Sequence, residues 1–204
     1  FQANVALRKR YEQARRPSAM RAVLSEGDGQ APEPPSFGAV IITNGRRDCI
    51  SRTIPSLEQH VGPFAERLIC DDSGDPAYAS WLREAFPTWT VKAHHRMGHG
   101  PAVRYAIGEA SKMDVDFVFW SEDDYDYQRT VDKVAIARVM DTEGDDLKQM
   151  VLRRQAWFPA EVAAGPTAIE RFDPALFTER SSTEGPWIEH RQFYSLNPHL
   201  VRRD

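Results

Sequence analysis

The chain has 204 residues, 41% of them hydrophobic and 27% charged, with a formal net charge of −4. That length suffices for one large domain, or one domain with appendages, around a sizeable core. The negative balance and a pI of about 5.9 argue against an extended nucleic-acid-binding surface, and the two isolated cysteines, Cys49 and Cys70, argue against a disulfide framework or a zinc site. No apolar run approaches the ~20 residues of a membrane span. No leader pattern opens the sequence, so a cytoplasmic location is expected. A start at Phe1 and an end at Arg203-Asp204 read as those of a trimmed piece.

Residues 1 to 24, rich in Arg, Ala and Glu, read as a helical arm interrupted near Pro17. Residues 25 to 36, SEGDGQAPEPPS, read as a polar linker, so 1 to 36 form an arm and linker. From Phe37 onward apolar runs alternate with helical periods. FGAVIIT (37–43) is short, apolar and β-branched, the pattern of a buried strand. Ile50, Ile54, Leu57 and Val61 then fall at helical spacing over 49–61, where Pro55 fits only a helix that is interrupted or begins nearby. RLIC (67–70) is a second strand, 77–86 a helix, and WTVKAH (89–94) a third strand. Residues 101 to 111 place Val103, Ala106, Ile107 and Ala110 on one helical face, and DFVFW (116–120) is the fourth strand. Such alternation predicts an α/β fold with a parallel, doubly wound sheet over residues 37 to 128. Beyond 128 the pattern loosens. Residues 130 to 141 read as helical, and MVLRR (150–154) as strand or helix. A loop-rich stretch with Pro159, Pro166, Pro174 and Pro186 leads to QFYSLN at 192–197. Residues 129 to 204 are therefore expected to cap the sheet instead of extending it.

Ligands of open α/β sheets bind beyond the carboxyl ends of the strands. Here those ends carry Thr43, Asn44, Arg46 and Arg47 after the first strand, and Asp71 and Asp72 after the second. His94, His95 and Arg96 follow the third, and Glu122, Asp123, Asp124 and then Asp126 the fourth. Three consecutive carboxylates raise one another's pKa unless a cation neutralises them. A hard divalent ion, Mg²⁺ or Mn²⁺, would take one or two of them together with substrate phosphates. A merely solvated acidic turn is the plain alternative; the position directly after a buried strand favours the metal. Asp71-Asp72-Ser73-Gly74 either caps the next helix or accepts from the N–H of a base. Asn44-Gly45-Arg46-Arg47 is either a solvated turn or a contact to ribose and phosphates. Met97-Gly98-His99-Gly100-Pro101 matches half of a dinucleotide fingerprint, and its glycines can bring backbone close to a phosphate. His94 and His95 would point to opposite faces of a strand and so do not share a metal. His190 and His199 are lone histidines, more often structural than ligating.

Four segments, VIITNGRRD, LICDDSGD, RMGHGPAVRYAIGEA and VFWSEDD, stand in this order within residues 37 to 128. Together they resemble the inverting family-two glycosyltransferases of the GT-A fold. That resemblance implies a Rossmann-type, mostly parallel sheet flanked by helices, and transfer of a sugar from a nucleoside-diphosphate sugar, UDP- or GDP-linked, to an acceptor hydroxyl with divalent-metal assistance. The acceptor would be a glycan, a protein or a lipid-linked group. The resemblance implies that Asp72 binds the base, that Asp124 binds Mn²⁺ or Mg²⁺ directly, and that Glu122 reaches the metal through water or buttresses the loop. Asp123 would lie near the ribose, Thr43, Asn44 and Arg46 would line the nucleotide pocket, and Arg96 and Gly98 would flank it. WIEHRQFYSLNPHLVRR looks like the acceptor-side region of bacterial and phage relatives, which makes 129–204 the acceptor-side part.

The family's catalytic base is an Asp or Glu well downstream of the metal motif. Glu161, Glu170, Glu179, Glu184 and Glu189 follow Asp126 without a family pattern. Either Glu189 is the base, with Trp187 and His190 as an acceptor wall, or the base lies beyond the chain's end. Three other readings stay open: a nucleotidyltransferase, a receiver-like module with LICDD as its acidic pair, and a non-catalytic sugar-nucleotide-binding protein.

Overall fold

The computed structural model describes residues 33–144, 147–152, 178–189 and 198–203. The expected arm over 1 to 24, His190, Glu161, Glu170 and the segment 192–197 lie outside the described residues. The described chain holds eight strands and four helices, alternating as far as α4: β1 (Phe37–Thr43), α1 (Arg47–His60), β2 (Glu66–Asp71), α2 (Pro76–Ala85), β3 (Thr90–Ala93), α3 (His99–Ala110), β4 (Phe117–Glu122), α4 (Lys133–Glu143), β5 (Gln149–Val151), β6 (Thr178–Ser182), β7 (Gly185–Glu189) and β8 (His199–Arg202). Six of the strands form one sheet in the order β3-β2-β1-β4-β8-β5. The first four pair in parallel, and β8 runs antiparallel to both of its neighbours. This is an α/β fold with a mostly parallel sheet flanked by helices, as expected. The β6–β7 hairpin belongs to a separate compact unit. Among the described residues no helix is long and apolar enough to cross a membrane.

Every residue of β1 is buried, as a central strand covered on both faces must be. The period of two sorts its side chains. Phe37, Ala39 and Ile41 pack with Ile50, Ile54 and Leu57 of α1, Tyr78 and Leu82 of α2, and Ala137 and Met140 of α4. Val40 and Ile42 face the other way, onto Ala106 and Ala110 of α3 with Leu68, Cys70, Val118 and Trp120.

Three expectations are corrected. The C-terminal part extends the sheet, because β5 and β8 add two strands beyond β4; each is so short that its alternation is lost among prolines and charges. Helix α1 runs through Pro55, which sits exposed on its outer face. The carbonyl that Pro55 leaves without a partner, that of Ser51, belongs to an exposed residue where water can serve it. Helix α3 presents Ala102, Ala106 and Ala110 to the sheet and leaves Ile107 46% exposed. Three alanines one turn apart let the helix approach closely, and this turns Ile107 outward.

The segment after β4 is stitched to α1. Thr53 Oγ1 lies 2.7 Å from the carbonyl oxygens of both Asp123 and Tyr125, and Tyr127 N–H donates to Ser56 Oγ at 3.1 Å. Val131 N–H donates to the His60 carbonyl, and the buried Lys133 ammonium donates to the Val61 carbonyl at 2.6 Å. Thr53 is itself buried, so Thr53→Val keeps the shape but removes the one hydroxyl hydrogen that the two inward carbonyls share. The variant should lose about 1–3 kcal/mol of unfolding free energy. Urea denaturation with an unchanged m-value would show it.

Candidate functional site at the carboxyl edge of the sheet

A cleft of about 220 Å³ opens where β1, β2 and β4 end, lined by Thr43, Asn44, Arg46, Asp72, Arg96, Gly98, His99, Glu122 and Asp123 together with Ile42 and Ala102. Parallel pairing is what gathers these residues. Thr43 stands opposite Asp71, and Ile42 opposite Glu122, so the three loops leave the sheet at one level.

Asp123 anchors this edge. It is fully buried (0% exposed), and one oxygen accepts from Thr43 Oγ1 at 2.6 Å while the other accepts from the Arg46 guanidinium. Thr43 has one hydroxyl hydrogen and gives it to the carboxylate, so Tyr78 O–H, 2.7 Å away, is the donor to Thr43. Burial, only partly offset by that contact with Thr43, pushes the Tyr78 phenol up to about 12, so it stays protonated and can donate. Arg46 reaches on with its other nitrogen to Asp124 Oδ2 at 2.9 Å. Asp124 is 41% exposed and lies outside the cleft lining.

Glu122 is half-buried on the cleft wall. Burial first and the charge of Asp124 next hold its carboxyl above its ordinary value, and His99 partly relieves this. Glu122 and Asp124 are thus the two acids of the turn with exposed surface, Asp124 sharing its charge with Arg46. Among the described residues no group of three or more His, Cys, Asp or Glu side chains is arranged to hold a metal ion. Two carboxylates, with the remaining positions left to phosphates and water, is an arrangement Mg²⁺ accepts. The donor set therefore fits a hard cation shared with a substrate and does not fit a caged structural one.

Asp72 faces the cleft from the opposite wall, and its carboxylate accepts from Met97 N–H at 2.6 Å and Gly98 N–H at 3.0 Å. It thereby fixes the β3–α3 loop, a hydrogen-bonding task the sequence did not reveal. Each oxygen keeps a lone pair for a ligand. The loop turns at Gly98 with φ of +83°, where the space around a Cβ is open, so glycine is required by the backbone and not by crowding. Helix α3 starts there without a side-chain cap, and its positive end lines the cleft through Gly98 and His99. His99 was legible as the first helical residue after a glycine but was assigned no role; Tyr78 and Thr53 carried no sequence signature. Asp71 is buried and does not line this cleft: one oxygen accepts from Ser73 N–H, and the other has no hydrogen-bond partner among the described residues. Glu189 lies on β7 in the hairpin unit, 26% exposed and 2.7 Å from Arg180 Nε.

No known family profile matches the chain, and no curated protein matches it. Several solved structures do. The mannosyltransferase PcManGT from Pyrobaculum calidifontis, in complex with GDP-Man and Mn²⁺, matches at 15% identity and a TM-score of 0.45 over 75% of this chain and 45% of that one. S. aureus TarS 1–349 matches at 15% identity and a TM-score of 0.48 over 82% and 47%, and S. aureus TarS at 18% and 0.38 over 51% and 19%. The chain spans less than half the length of each. At these values the likeness is faint, and the functional reading rests on the site itself.

Two substitutions probe the two walls. Asp72→Asn turns an amide NH₂ toward one of two backbone N–H donors, so it should cost about 1–3 kcal/mol of stability, read by urea denaturation. Glu122 has its folded pKa raised above 4.5. Its carboxyl therefore favours the folded state below that pH and loses this contribution as pH rises through the folded value. Glu122→Gln should melt higher than the parent at pH 7 in EDTA, and the gain should shrink to nothing toward pH 4.

Proposed function

We propose that the protein is a glycosyltransferase of the GT-A type that uses a nucleoside-diphosphate sugar, UDP- or GDP-linked, and a divalent cation. One observation carries the reading. A single cleft sets an acidic side, Glu122 followed in sequence by the exposed Asp124, against a positive one, the uncapped start of α3 with Arg96. A plain anion suits only the second wall and a plain cation only the first. A diphosphate carrying a divalent ion satisfies both at once.

Each residue then has a task. Asp72, already holding the β3–α3 loop, offers its remaining lone pairs to the N–H of a base. Asn44 and Arg96 flank the nucleoside, Asp123 lies near the ribose, and His99 at the start of α3 brings its backbone N–H toward the phosphates. Glu122 and Asp124 would hold Mn²⁺ or Mg²⁺, which when bound supplies a positive charge for the departing diphosphate. Arg46 can fork onto the same phosphates. A carboxylate on the acceptor side takes the proton of the acceptor hydroxyl, and a single displacement inverts the anomeric carbon. The acceptor is a glycan, a protein or a lipid-linked hydroxyl.

The test is calorimetric titration of UDP and GDP with Mn²⁺ and again with EDTA. Binding at least tenfold tighter with Mn²⁺ is expected, and equal affinity in both would remove the metal bridge. Hydrolysis of the matching sugar nucleotide should release nucleoside diphosphate; release of pyrophosphate from a nucleoside triphosphate and a sugar phosphate would indicate a nucleotidyltransferase instead. Asp124→Asn should keep the fold and slow donor hydrolysis about 10²–10³-fold, the cost typical of one lost electrostatic contact to developing charge.

A further inference from the structure

We propose that Arg46 is a built-in cation that keeps free divalent ions off the acidic turn, and that a diphosphate releases the turn by drawing the guanidinium onto itself. The proposal rests on the diphosphate reading above and adds an order to it: the metal enters with the nucleotide or after it.

The argument begins with charge. Asp123 is fully buried, and Thr43 gives it one neutral hydrogen bond. A buried carboxylate is costly unless a cation is paired with it, and Arg46 is that cation. The same guanidinium bridges to Asp124, the acid best exposed for a metal. A metal ion on Asp124 would sit within a few ångströms of a second full positive charge. The two cations therefore compete for one carboxylate.

Arg46 is also built to leave. Its side chain is 43% exposed, and its charged partners among the described residues are Asp123 and Asp124. It occupies the N-cap position of α1 without a side-chain cap bond there, at the positive end of the helix dipole, where a cation is disfavoured. The residue before it, Gly45, has φ of +103°. Arg46 lines the same cleft as Gly98 and His99, so a diphosphate seated against the start of α3 comes within its reach, and a guanidinium fork matches phosphate oxygens as well as it matches carboxylates. Moving it frees Asp124 for the metal and uncovers Asp123 to the cleft in one step. Linkage then requires nucleotide and metal to strengthen each other's binding equally.

The experiment measures Mn²⁺ binding from the electron paramagnetic resonance of the free ion, for the parent, Arg46→Gln and Arg46→Lys, each checked by thermal melt. Without nucleotide, the parent should bind Mn²⁺ weakly and Arg46→Gln at least tenfold more tightly. Arg46→Lys, whose single ammonium cannot span both acids, should fall between them. With saturating UDP or GDP, the parent should gain at least tenfold in Mn²⁺ affinity and Arg46→Gln much less. Should the glutamine variant fail to fold, the lysine variant alone decides. Mn²⁺ affinity in a folded variant no greater than in the parent overturns the proposal, even if nucleotide and metal bind together as expected. If instead neither UDP nor GDP affects any variant, the diphosphate reading falls and the nucleotide-driven release falls with it, while a gain in Arg46→Gln without nucleotide still establishes the competition.

Discussion

The buried carboxylate of Asp123 is the constraint on which this edge of the sheet depends. It lies just past the end of β4 with no exposed surface, and its two oxygens are met by Thr43 from the end of β1 and Arg46 from the start of α1. Its own backbone carbonyl is served by Thr53 from within α1. One residue thus ties together the first strand, the first helix and the fourth strand. A shift of any of them by an ångström would leave a charge or a carbonyl buried without a partner, at a cost of several kcal/mol.

Burial divides the labour among three adjacent acids that are chemically alike. Asp123 is structural in its bonding, Glu122 is half-buried and held above its ordinary pKa, and Asp124 is exposed and paired with Arg46. The opposite wall follows a similar economy. Asp72 spends its carboxylate on two backbone N–H groups, and this sets the loop that opens α3. The aromatic neighbours extend the support: the His94 ring stands edge-on to Tyr105 at 4.6 Å, with Nδ1 3.6 Å from Asp72. The walls of the cleft are therefore fixed by hydrogen bonds within the protein, which is the preorganisation that a polar ligand needs.

Much of the fold was legible because strong local patterns coincide with it. The runs at 37–43, 67–70 and 116–120 are β-branched or aromatic and continuous, as strands buried on both faces must be, and the strands observed there differ by a residue or two at their ends. The edge strand β3 was also found, although three of its four residues are exposed, because it falls between two helical periods. The misreadings share one cause. The rotation of α3 is set by which side chains let it approach the sheet, and Ala102, Ala106 and Ala110 outweigh a larger Ile107 for a reason that hydrophobicity alone does not contain. β8 is four residues long and pairs with β4 some eighty positions earlier, so nothing near it in sequence announces a strand.

The sequence by itself determined that polar loops would follow apolar strands, and parallel connection then requires those loops to meet at one edge. That is why Thr43, Arg46, Asp72, Arg96, Gly98 and Glu122 could be named together from their positions alone. Tertiary structure decided what each of them does there. Whether an acid is sealed in or exposed, and which cation it meets, depends on segments far apart along the chain: Arg46 and Asp123 are separated by 77 positions. Local pattern encodes the period and direction of side chains, but burial and pairing arise only when distant surfaces close on one another, and those contacts set the charges in this cleft.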